Sequence, residues 1–316
     1  MTTPNILVTC PPMLGIVDEF ASAFEAHGLD CTPAKVVQVL SEEELIDLVP
    51  QFDGWIIGDD PASRAVVEAG VSGKLRAAVK WGVGVDNVDF DAFKAAGVPV
   101  VNTPRVFGGE VADVALTYVL GLARETYFID RDIRLNNGWP KPSGISVAGR
   151  TVAIVGFGDI GSQTAKRIIA CGGKPVVYDP AFQPLDDIPV EQAAWPDRVG
   201  EADFLIFTCP LNDHTRGMFN HDLISKLKPG VRVVNVARGP VIVEAALIEA
   251  LEGGVVHSAA LDVFEVEPLP DASPLRTFDR CIFGSHNGSN SIDAVRRVSH
   301  LAIEKIAGLL AGAGVQ

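Results

Sequence analysis

The chain has 316 residues, more than one hydrophobic core usually spans, so we expect two domains of ordinary size. Hydrophobic residues make up 47% and charged residues 21% of the sequence, a balance that favours packed cores over disorder. The formal net charge of -14 repels nucleic acid and anionic lipid at long range. We therefore expect a small-molecule partner rather than nucleic acid or a membrane.

The amino terminus and the cysteines bear on the compartment. The first residues contain no basic segment followed by an apolar stretch, so they do not resemble a secretion signal. The apolar run from Val114 to Ala123 is too short to span a bilayer. The five cysteines include no CxxC pair, and we interpret them as reduced thiols. These features predict a cytoplasmic protein without a metal site.

Short apolar runs alternate with amphipathic stretches along the whole chain, which is typical of parallel sheets covered by helices. The predicted fold class is therefore α/β. Ser41 and Glu44 match a capping box and predict a helix start, and another helix is expected to end near Gly28. The strands predicted in this first part of the chain are Ile6–Thr9, Val36–Val39, Trp55–Ile57, Ala78–Trp81 and Val98–Val101.

A second α/β unit is predicted to start at Thr151. Before it, the pattern from Val111 to Asn136 predicts one long helix, which a segment rich in Gly, Pro and Ser then ends. A final helix is expected from Ser291 to Leu310. The predicted strands of this unit are Val152–Val155, Val176–Tyr178, Phe204–Thr208, Val231–Val234, Ala259–Val263 and Ile282–Gly284.

A glycine-rich turn follows the first strand of the second unit. From Val152 the sequence reads VAIVGFGDIG, a buried strand that runs into a GxGxxG turn and then a helix. In such a turn Gly156 permits the bend, Gly158 lets the backbone approach a pyrophosphate, and Gly161 lets helix and strand pack closely. The alternative is a tight turn in an ordinary α/β protein. The strand, the helix and the acid that follows favour a dinucleotide site.

That acid is Asp179, which lies 23 residues after Gly156 at the end of the next predicted strand. A carboxylate there can accept hydrogen bonds from the adenosine ribose hydroxyls and repels a 2′-phosphate. The sequence therefore predicts NAD rather than NADP as the cofactor.

Three further segments supply a cation that can bind a carboxylate, a proton donor, and a group that can tune the donor. Arg238 follows a strand, where its planar fork can hold a carboxylate in a bidentate pair. Glu267 lies in the segment DVFEVEPLP, and His286 follows the last strand in GSHNGS. Taken singly, each of the three is more often an ordinary loop residue.

Together, the order and spacing of these segments resemble the D-isomer-specific 2-hydroxyacid dehydrogenase family, which includes phosphoglycerate, glycerate and D-lactate dehydrogenases. Further matches are WGVGVDNVD from Trp81, VNTP from Val101, and TCPL from Thr208 with Thr215 after it. The resemblance covers nearly the whole chain. It implies an NAD-dependent oxidoreductase that transfers a hydride between the nicotinamide and a small D-2-hydroxy or 2-oxo acid.

The resemblance also implies the roles of the catalytic residues. Arg238 would bind the carboxylate and the carbonyl of the substrate, and His286 would be the acid-base residue. Glu267 would hydrogen-bond His286, which favours the imidazolium form and keeps a proton available for the carbonyl oxygen.

The remaining site residues are likewise implied by the resemblance. The substrate carboxylate would lie against the backbone of Gly82, Val83 and Gly84. Asp262 would reach the nicotinamide amide. The residues that would form the cofactor site are Gly156, Gly158, Asp159, Ile160, Gly161, Asp179, Cys209, Pro210, Thr215, Ala237, Asp262, His286 and Gly288.

The architecture implied by the resemblance is two doubly wound parallel-sheet domains with a cleft between them. A Rossmann NAD-binding domain over residues 103–284 would be inserted into a flavodoxin-like substrate-binding domain formed by residues 1–102 and 285–316. The long helix after Val111 would help to form a homodimer.

The chain departs from the family where substrates are expected to bind. Phe107 stands where phosphoglycerate-type relatives carry an Asn that contacts phosphate. Asp59 and Asp60 lie near the position where those relatives often carry a basic residue, although Arg105 can supply a replacement cation. These changes disfavour a phosphorylated substrate.

The neighbours of the expected catalytic histidine are also unusual. Ser285 and Asn287 replace the more common Pro and Ile and make the expected pocket more polar, which suggests an unusual or highly hydroxylated acid. Two other functions fit the same residues. Phosphite oxidation occurs on related scaffolds, and NAD-binding corepressors can retain the same Arg, Glu and His.

Overall fold

The computed structural model describes residues 3–312, which form two compact units. The first unit consists of residues 3–107 and 290–312, and the second of residues 108–289. Both divisions lie a few residues after the expected domain boundaries at residues 102 and 284.

A five-stranded parallel sheet with the order β2-β1-β3-β4-β5 forms the centre of the first unit, and this is the flavodoxin-like order. The middle strands are buried on both faces, as expected for a parallel sheet covered by helices. The strands are β1 Asn5–Val8, β2 Asp30–Pro33, β3 Gly54–Ile57, β4 Ala77–Lys80 and β5 Val100–Asn102. The helices are α1 Pro11–Leu14, α2 Ala21–Ala26, α3 Glu42–Leu48, α4 Arg64–Ser72, α5 Phe90–Ala95 and, after the second unit, α11 Ile292–Leu310.

The helix starts and ends predicted in this unit are confirmed. Ser41 accepts a hydrogen bond from Glu44 N while the Glu44 side chain accepts from Ser41 N, so the capping box before α3 is complete. Ser291 caps α11 through Ala294 N, and α2 ends just before Gly28, whose φ is +66°. Within residues 3–312, no helix has both the length and the apolar character needed to cross a membrane.

The strand predicted at Val36–Val39 is wrong. These residues lie in an irregular segment, and the side chain of Val37 is 92% exposed. The second strand of the sheet is instead β2, which pairs only with β1 at the edge. An edge strand tolerates the polar sequence Asp-Cys-Thr-Pro because one side needs no partner for its backbone.

A seven-stranded parallel sheet with the order β12-β11-β10-β9-β6-β7-β8 forms the second unit. Read from β8, it is the Rossmann order with one more strand at its far edge. The strands are β6 Thr151–Val155, β7 Lys174–Tyr178, β8 Glu191–Gln192, β9 Phe204–Phe207, β10 Val231–Asn235, β11 Val256–Leu261 and β12 Ile282–Phe283. The helices are α6 Gly108–Arg124, α7 Thr126–Asn136, α8 Asp159–Ala170, α9 His221–Ile224 and α10 Glu244–Glu252.

The single helix predicted from Val111 to Asn136 is wrong, because the chain bends between α6 and α7. Glu125 adopts a left-handed conformation there, with φ of 52°. Its carboxylate is buried and accepts a hydrogen bond from Arg280 Nε at 3.1 Å. The ion pair with Arg280 compensates for burying the charge of Glu125.

Candidate active site

Most of the predicted site residues follow strands of the seven-stranded sheet. The GxGxxG turn follows β6, Asp179 follows β7, Cys209 comes after β9, Arg238 after β10 and Asp262 after β11. All these strands are parallel, so their carboxyl ends share one edge of the sheet. Ligands of doubly wound sheets bind at this edge.

The three glycines of the turn meet different constraints. Gly156 has φ of +93°, and a Cβ there would lie 2.9 Å from the Cys209 backbone. A Cβ on Gly161 would lie 2.0 Å from the carbonyl oxygen of Gly156, so α8 packs against the turn too closely for a side chain. A Cβ on Gly158 would meet nothing within 4 Å. Gly156 and Gly161 are needed for close packing, whereas Gly158 leaves open space beside the helix.

The open space at Gly158 lies at the amino end of α8, where the first backbone N–H groups have no acceptor within the helix. Asp159 and Ile160 provide the next N–H groups. The Asp159 side chain packs against α6, since a Cβ on Gly108 would lie 2.3 Å from its Oδ1. Its Oδ2 is buried and has no hydrogen-bond partner in the part of the chain that the structure describes. An anion such as a pyrophosphate fits the helix terminus through the backbone rather than through this carboxylate.

Asp179 lies next to the glycine turn. Its Oδ2 accepts a hydrogen bond from Phe157 N at 2.7 Å, and its Oδ1 accepts from Ala181 N at 2.8 Å. These bonds fix the carboxylate just beyond β7, where a ribose is expected. The glycine cradle, the open helix terminus and the fixed acid therefore fit a bound NAD.

The loops after β9 and β10 complete this edge. Cys209 is buried, and burial raises the pKa of its thiol to about 12, so the group stays protonated and packs as an apolar residue. Thr215 donates from its hydroxyl to the carbonyl of Pro210 at 2.6 Å and thereby closes the loop after β9. Ala237 N donates to Asn235 Oδ1 at 3.0 Å.

Arg238 lies at the start of a short 3-10 turn over Gly239–Val241. Its backbone carbonyl accepts a hydrogen bond from Asn235 Nδ2 at 2.9 Å, and its Nη1 donates to the carbonyl of Ala237 at 2.9 Å. A Cβ on Gly239 would lie 1.8 Å from the carbonyl oxygen of Phe264, so this loop packs directly on the segment that leads to Glu267.

His286 and Glu267 are brought together, although they are 19 residues apart. His286 Nδ1 lies 2.7 Å from Glu267 Oε2, and the two side chains are 21% and 23% exposed. The other carboxylate oxygen of Glu267 accepts a hydrogen bond from Phe264 N at 2.9 Å. The backbone therefore fixes the carboxylate, and the carboxylate fixes the imidazole. This is the arrangement of a general acid-base residue with an orienting partner.

Asp262 and Gly288 lie beside this pair. Gly288 N donates to Asp262 Oδ2 at 2.8 Å, and His286 N donates to the Asp262 carbonyl at 2.7 Å. His286 itself has φ of 55°. The turn that carries the histidine is thus attached to Asp262 through its backbone.

In the first unit, the loop after β4 carries Gly82, Val83 and Gly84. Gly82 has φ of +121°, and its N–H donates to Thr103 Oγ1 at 2.8 Å. Asn102 Nδ2 donates to the Val83 carbonyl at 3.2 Å. Hydrogen bonds with Asn102, at the end of β5, and with Thr103, just after it, thus hold a tight loop that presents backbone groups.

Two residues near these sites were missed by sequence reasoning. Lys80 is buried under the glycine loop, where its Nζ lies 3.0 Å from Asp59 Oδ1 and 3.2 Å from the Trp81 carbonyl. The sequence feature that could have indicated Lys80 is a lysine at the end of an otherwise apolar strand. Tyr118, in α6, donates a hydrogen bond from its hydroxyl to Asp262 Oδ1 at 3.2 Å. In the sequence, its one distinguishing feature is a polar hydroxyl within an apolar helix.

Comparison with known proteins agrees with this geometry. Residues 116–288 match the model of the D-isomer specific 2-hydroxyacid dehydrogenase, NAD binding domain. Hydroxypyruvate reductase of Thermotoga maritima is 37% identical over 273 residues, which cover 84% of this chain and 88% of that protein. D-3-phosphoglycerate dehydrogenase of Mycobacterium bovis is 34% identical over 305 residues, and the matched part spans 95% of this chain but 57% of that protein.

Solved structures show the same fold. The TT0316 protein of Thermus thermophilus superposes with a TM-score of 0.86 at 27% identity, covering 98% of this chain and 97% of that one. A glyoxylate reductase from Paecilomyes thermophila gives a TM-score of 0.85 at 24% identity, covering 100% and 98%. The chain belongs to the D-isomer-specific 2-hydroxyacid dehydrogenase family. It is an NAD-dependent oxidoreductase of 2-hydroxy acids, as the resemblance predicted.

Proposed function

We propose that the protein interconverts a small, unphosphorylated 2-oxo acid and its D-2-hydroxy acid, with His286 as the acid-base residue. The observation that carries this proposal is the 2.7 Å contact between His286 Nδ1 and Glu267 Oε2. Glu267 stabilises the imidazolium, and the contact leaves Nε2 as the ring nitrogen that exchanges a proton with substrate. NAD, when bound, accepts or supplies the hydride.

In the direction of reduction, the protonated His286 donates its proton to the carbonyl oxygen as negative charge develops there. In the direction of oxidation, the neutral His286 accepts the hydroxyl proton. Arg238 binds the carboxylate of the substrate and polarises its carbonyl. The backbone of Gly82, Val83 and Gly84 gives further hydrogen bonds to the carboxylate.

The charges and packing of the first unit favour an unphosphorylated substrate. Phe107 is 4% exposed and packs on Trp81, with ring centroids 5.2 Å apart, so it offers no donor to a phosphate. Lys80 is engaged by Asp59, and Asp59 adds a carboxylate that repels a phosphate. The names of two relatives, hydroxypyruvate reductase and glyoxylate/hydroxypyruvate reductase B, point to the same class of short 2-oxo acid.

The test is a panel of 2-oxo acids, comprising glyoxylate, hydroxypyruvate, pyruvate and phosphohydroxypyruvate, with NADH oxidation followed by absorbance. We expect the highest kcat/KM with a free short acid and a much lower value with phosphohydroxypyruvate. The reverse order would overturn the substrate assignment. No turnover with any acid, together with tight NADH binding, would favour phosphite oxidation or an NAD-dependent binding protein.

Asp179 is proposed to select NAD over NADP. Replacing it with alanine removes a charged acceptor, so the Kd for NADH should rise about tenfold while the Kd for NADPH changes less or falls. Fluorescence titration of both nucleotides measures this. Asp187→Asn is the matched control, because Asp187 pairs with Lys166 at the surface. Equal weakening toward both nucleotides would contradict the assignment.

We also propose that the protein is a homodimer in the cytoplasm and that its small-molecule partners are NAD and the acid substrate. The segment from α6 through α7 to Trp139 exposes large apolar side chains, which a second copy of the chain can cover. These exposed residues are Leu120, Tyr127, Ile133, Leu135 and Trp139. Light scattering should give twice the mass of one chain, and Leu135→Glu should lower it.

A further inference from the structure

The backbone at His286 needs support from its surroundings. His286 has φ of 55°, the left-handed region that residues with a Cβ rarely adopt. In this conformation the turn places the imidazole Nδ1 2.7 Å from Glu267 Oε2. Whatever fixes the turn therefore also fixes the acid-base residue.

Asp262 supports the turn through three hydrogen bonds. Its carbonyl accepts from His286 N at 2.7 Å, its Oδ1 lies 3.3 Å from Asn287 N, and its Oδ2 accepts from Gly288 N at 2.8 Å. Three successive N–H groups of the turn thus point at one residue. Asp262 N in turn donates to the Asn235 carbonyl at 2.9 Å, which ties the turn to the end of β10.

Tyr118 fixes the Asp262 carboxylate from the opposite side. Its hydroxyl donates to Asp262 Oδ1 at 3.2 Å, and the side chain is buried in α6. Burial, and then the charge of Asp262, raise the pKa of Tyr118, so the phenol stays a donor over the working pH range. The packing is close, since a Cβ on Gly284 would lie 2.1 Å from Asp262 Oδ1 and 2.4 Å from the Tyr118 hydroxyl oxygen.

We propose that Tyr118 and Asp262 form a positioning pair, in which the helix α6 holds the left-handed turn at His286 in the geometry that catalysis needs. The proposal rests on the proposed role of His286. Tyr118 acts through Asp262 and the turn, and it does not touch the reacting groups. The pair gives Asp262 a function beyond any contact with the nicotinamide.

The test is Tyr118→Phe, which removes one hydroxyl and leaves the packing of the ring. We expect kcat for reduction to fall about tenfold, because small displacements of a catalytic group are amplified in the rate. The Kd for NADH, measured by fluorescence, should change less than kcat does, because the glycine turn and Asp179 are unaltered in the variant. The midpoint of the pH profile of kcat/KM should move to lower pH, as the contact between Glu267 and His286 loosens.

The control is Tyr178→Phe, which removes the hydroxyl of another buried tyrosine, one that donates to the Asp197 carbonyl at 2.8 Å. It should lower Tm as Tyr118→Phe does, without moving the pH profile. If Tyr118→Phe lowers Tm alone and keeps the kcat and the pH profile of the wild type, the proposal is overturned.

A second variant, Asp262→Asn, keeps the shape of the side chain but replaces one acceptor with a donor that faces the N–H groups of the turn. It should move the pH profile in the same direction as Tyr118→Phe and by more. The parallel variant His286→Ala distinguishes a failure of the proposed function from a failure of the positioning pair. Full activity of His286→Ala would overturn the proposed function, whereas an inactive His286→Ala beside an unaltered Tyr118→Phe would overturn only the positioning pair.

Discussion

Replacing His286 with alanine is expected to lower kcat for reduction of a 2-oxo acid roughly a thousandfold, which is within the range that a positioned general acid contributes. The variant keeps the glycine turn and Asp179, so NADH should still bind within a few-fold of the wild-type Kd. Stopped-flow measurement of a single turnover, with binding followed by NADH fluorescence, separates the two quantities.

The chain offers a matched control for this variant. His221 also forms a histidine-carboxylate pair, with Nε2 3.0 Å from Glu249 Oε2, but both side chains are well exposed. His221→Ala should leave kcat within about twofold of the wild type, as is usual for surface substitutions. Equal losses in the two variants would show that the effect is one of folding rather than of proton transfer.

The proton requirement also sets the sign of the pH dependence in the wild type. Reduction needs the imidazolium form of His286 and oxidation needs the neutral imidazole. As pH rises through the pKa of His286, kcat/KM for reduction should therefore fall while that for oxidation rises. Parallel profiles in the two directions would rule out His286 as the group that exchanges the proton.

The central strands could be predicted because burial on both faces leaves a continuous apolar run. The segments at β3, β6 and β9 are of this kind, and each is found within a residue of its predicted position. The edge strands carry no such signal. β2 is polar and β8 is two exposed residues, so hydrophobicity pointed to Val36–Val39 instead.

The bend at Glu125 could not be read from helix periodicity. The apolar pattern of α6 continues into α7, and neither Gly nor Pro marks the break. At the bend, Arg280 from far along the chain reaches the buried carboxylate of Glu125. Such a tertiary contact leaves no sign in the local helix pattern.

The candidate site likewise contains residues that the sequence predicts and residues that it does not. Motif spacing predicted the residues that are proposed to bind ligands, and those of the second unit follow parallel strands, which places them at one edge of the sheet. It gave no sign of Tyr118, since a tyrosine among the apolar residues of α6 looks like an ordinary core residue. Its partner Asp262 is 144 residues away, so only the folded chain shows the contact. The roles of His286, Glu267 and Arg238 stay predictions for the experiments proposed above.

Arg238→Lys should lower activity strongly although it preserves the charge, but by less than the loss of His286. A guanidinium can form two parallel hydrogen bonds to a carboxylate, whereas an ammonium gives a single point contact. The cost should be about 3 kcal/mol of transition-state stabilisation, a loss of roughly a hundredfold in kcat/KM. We expect the loss to be shared between a higher KM and a lower kcat, because Arg238 is proposed to contact both the carboxylate and the carbonyl.

Steady-state kinetics of Arg238→Lys and of its control with the preferred acid measure this loss. Arg198→Lys is the control, because Arg198 pairs with Glu191 and Glu201 at the surface and should tolerate the change. A rise in KM with unchanged kcat would limit Arg238 to uniform binding of the carboxylate. It would remove the carbonyl contact from the mechanism and leave His286 as the principal source of stabilisation at the oxygen that receives the proton.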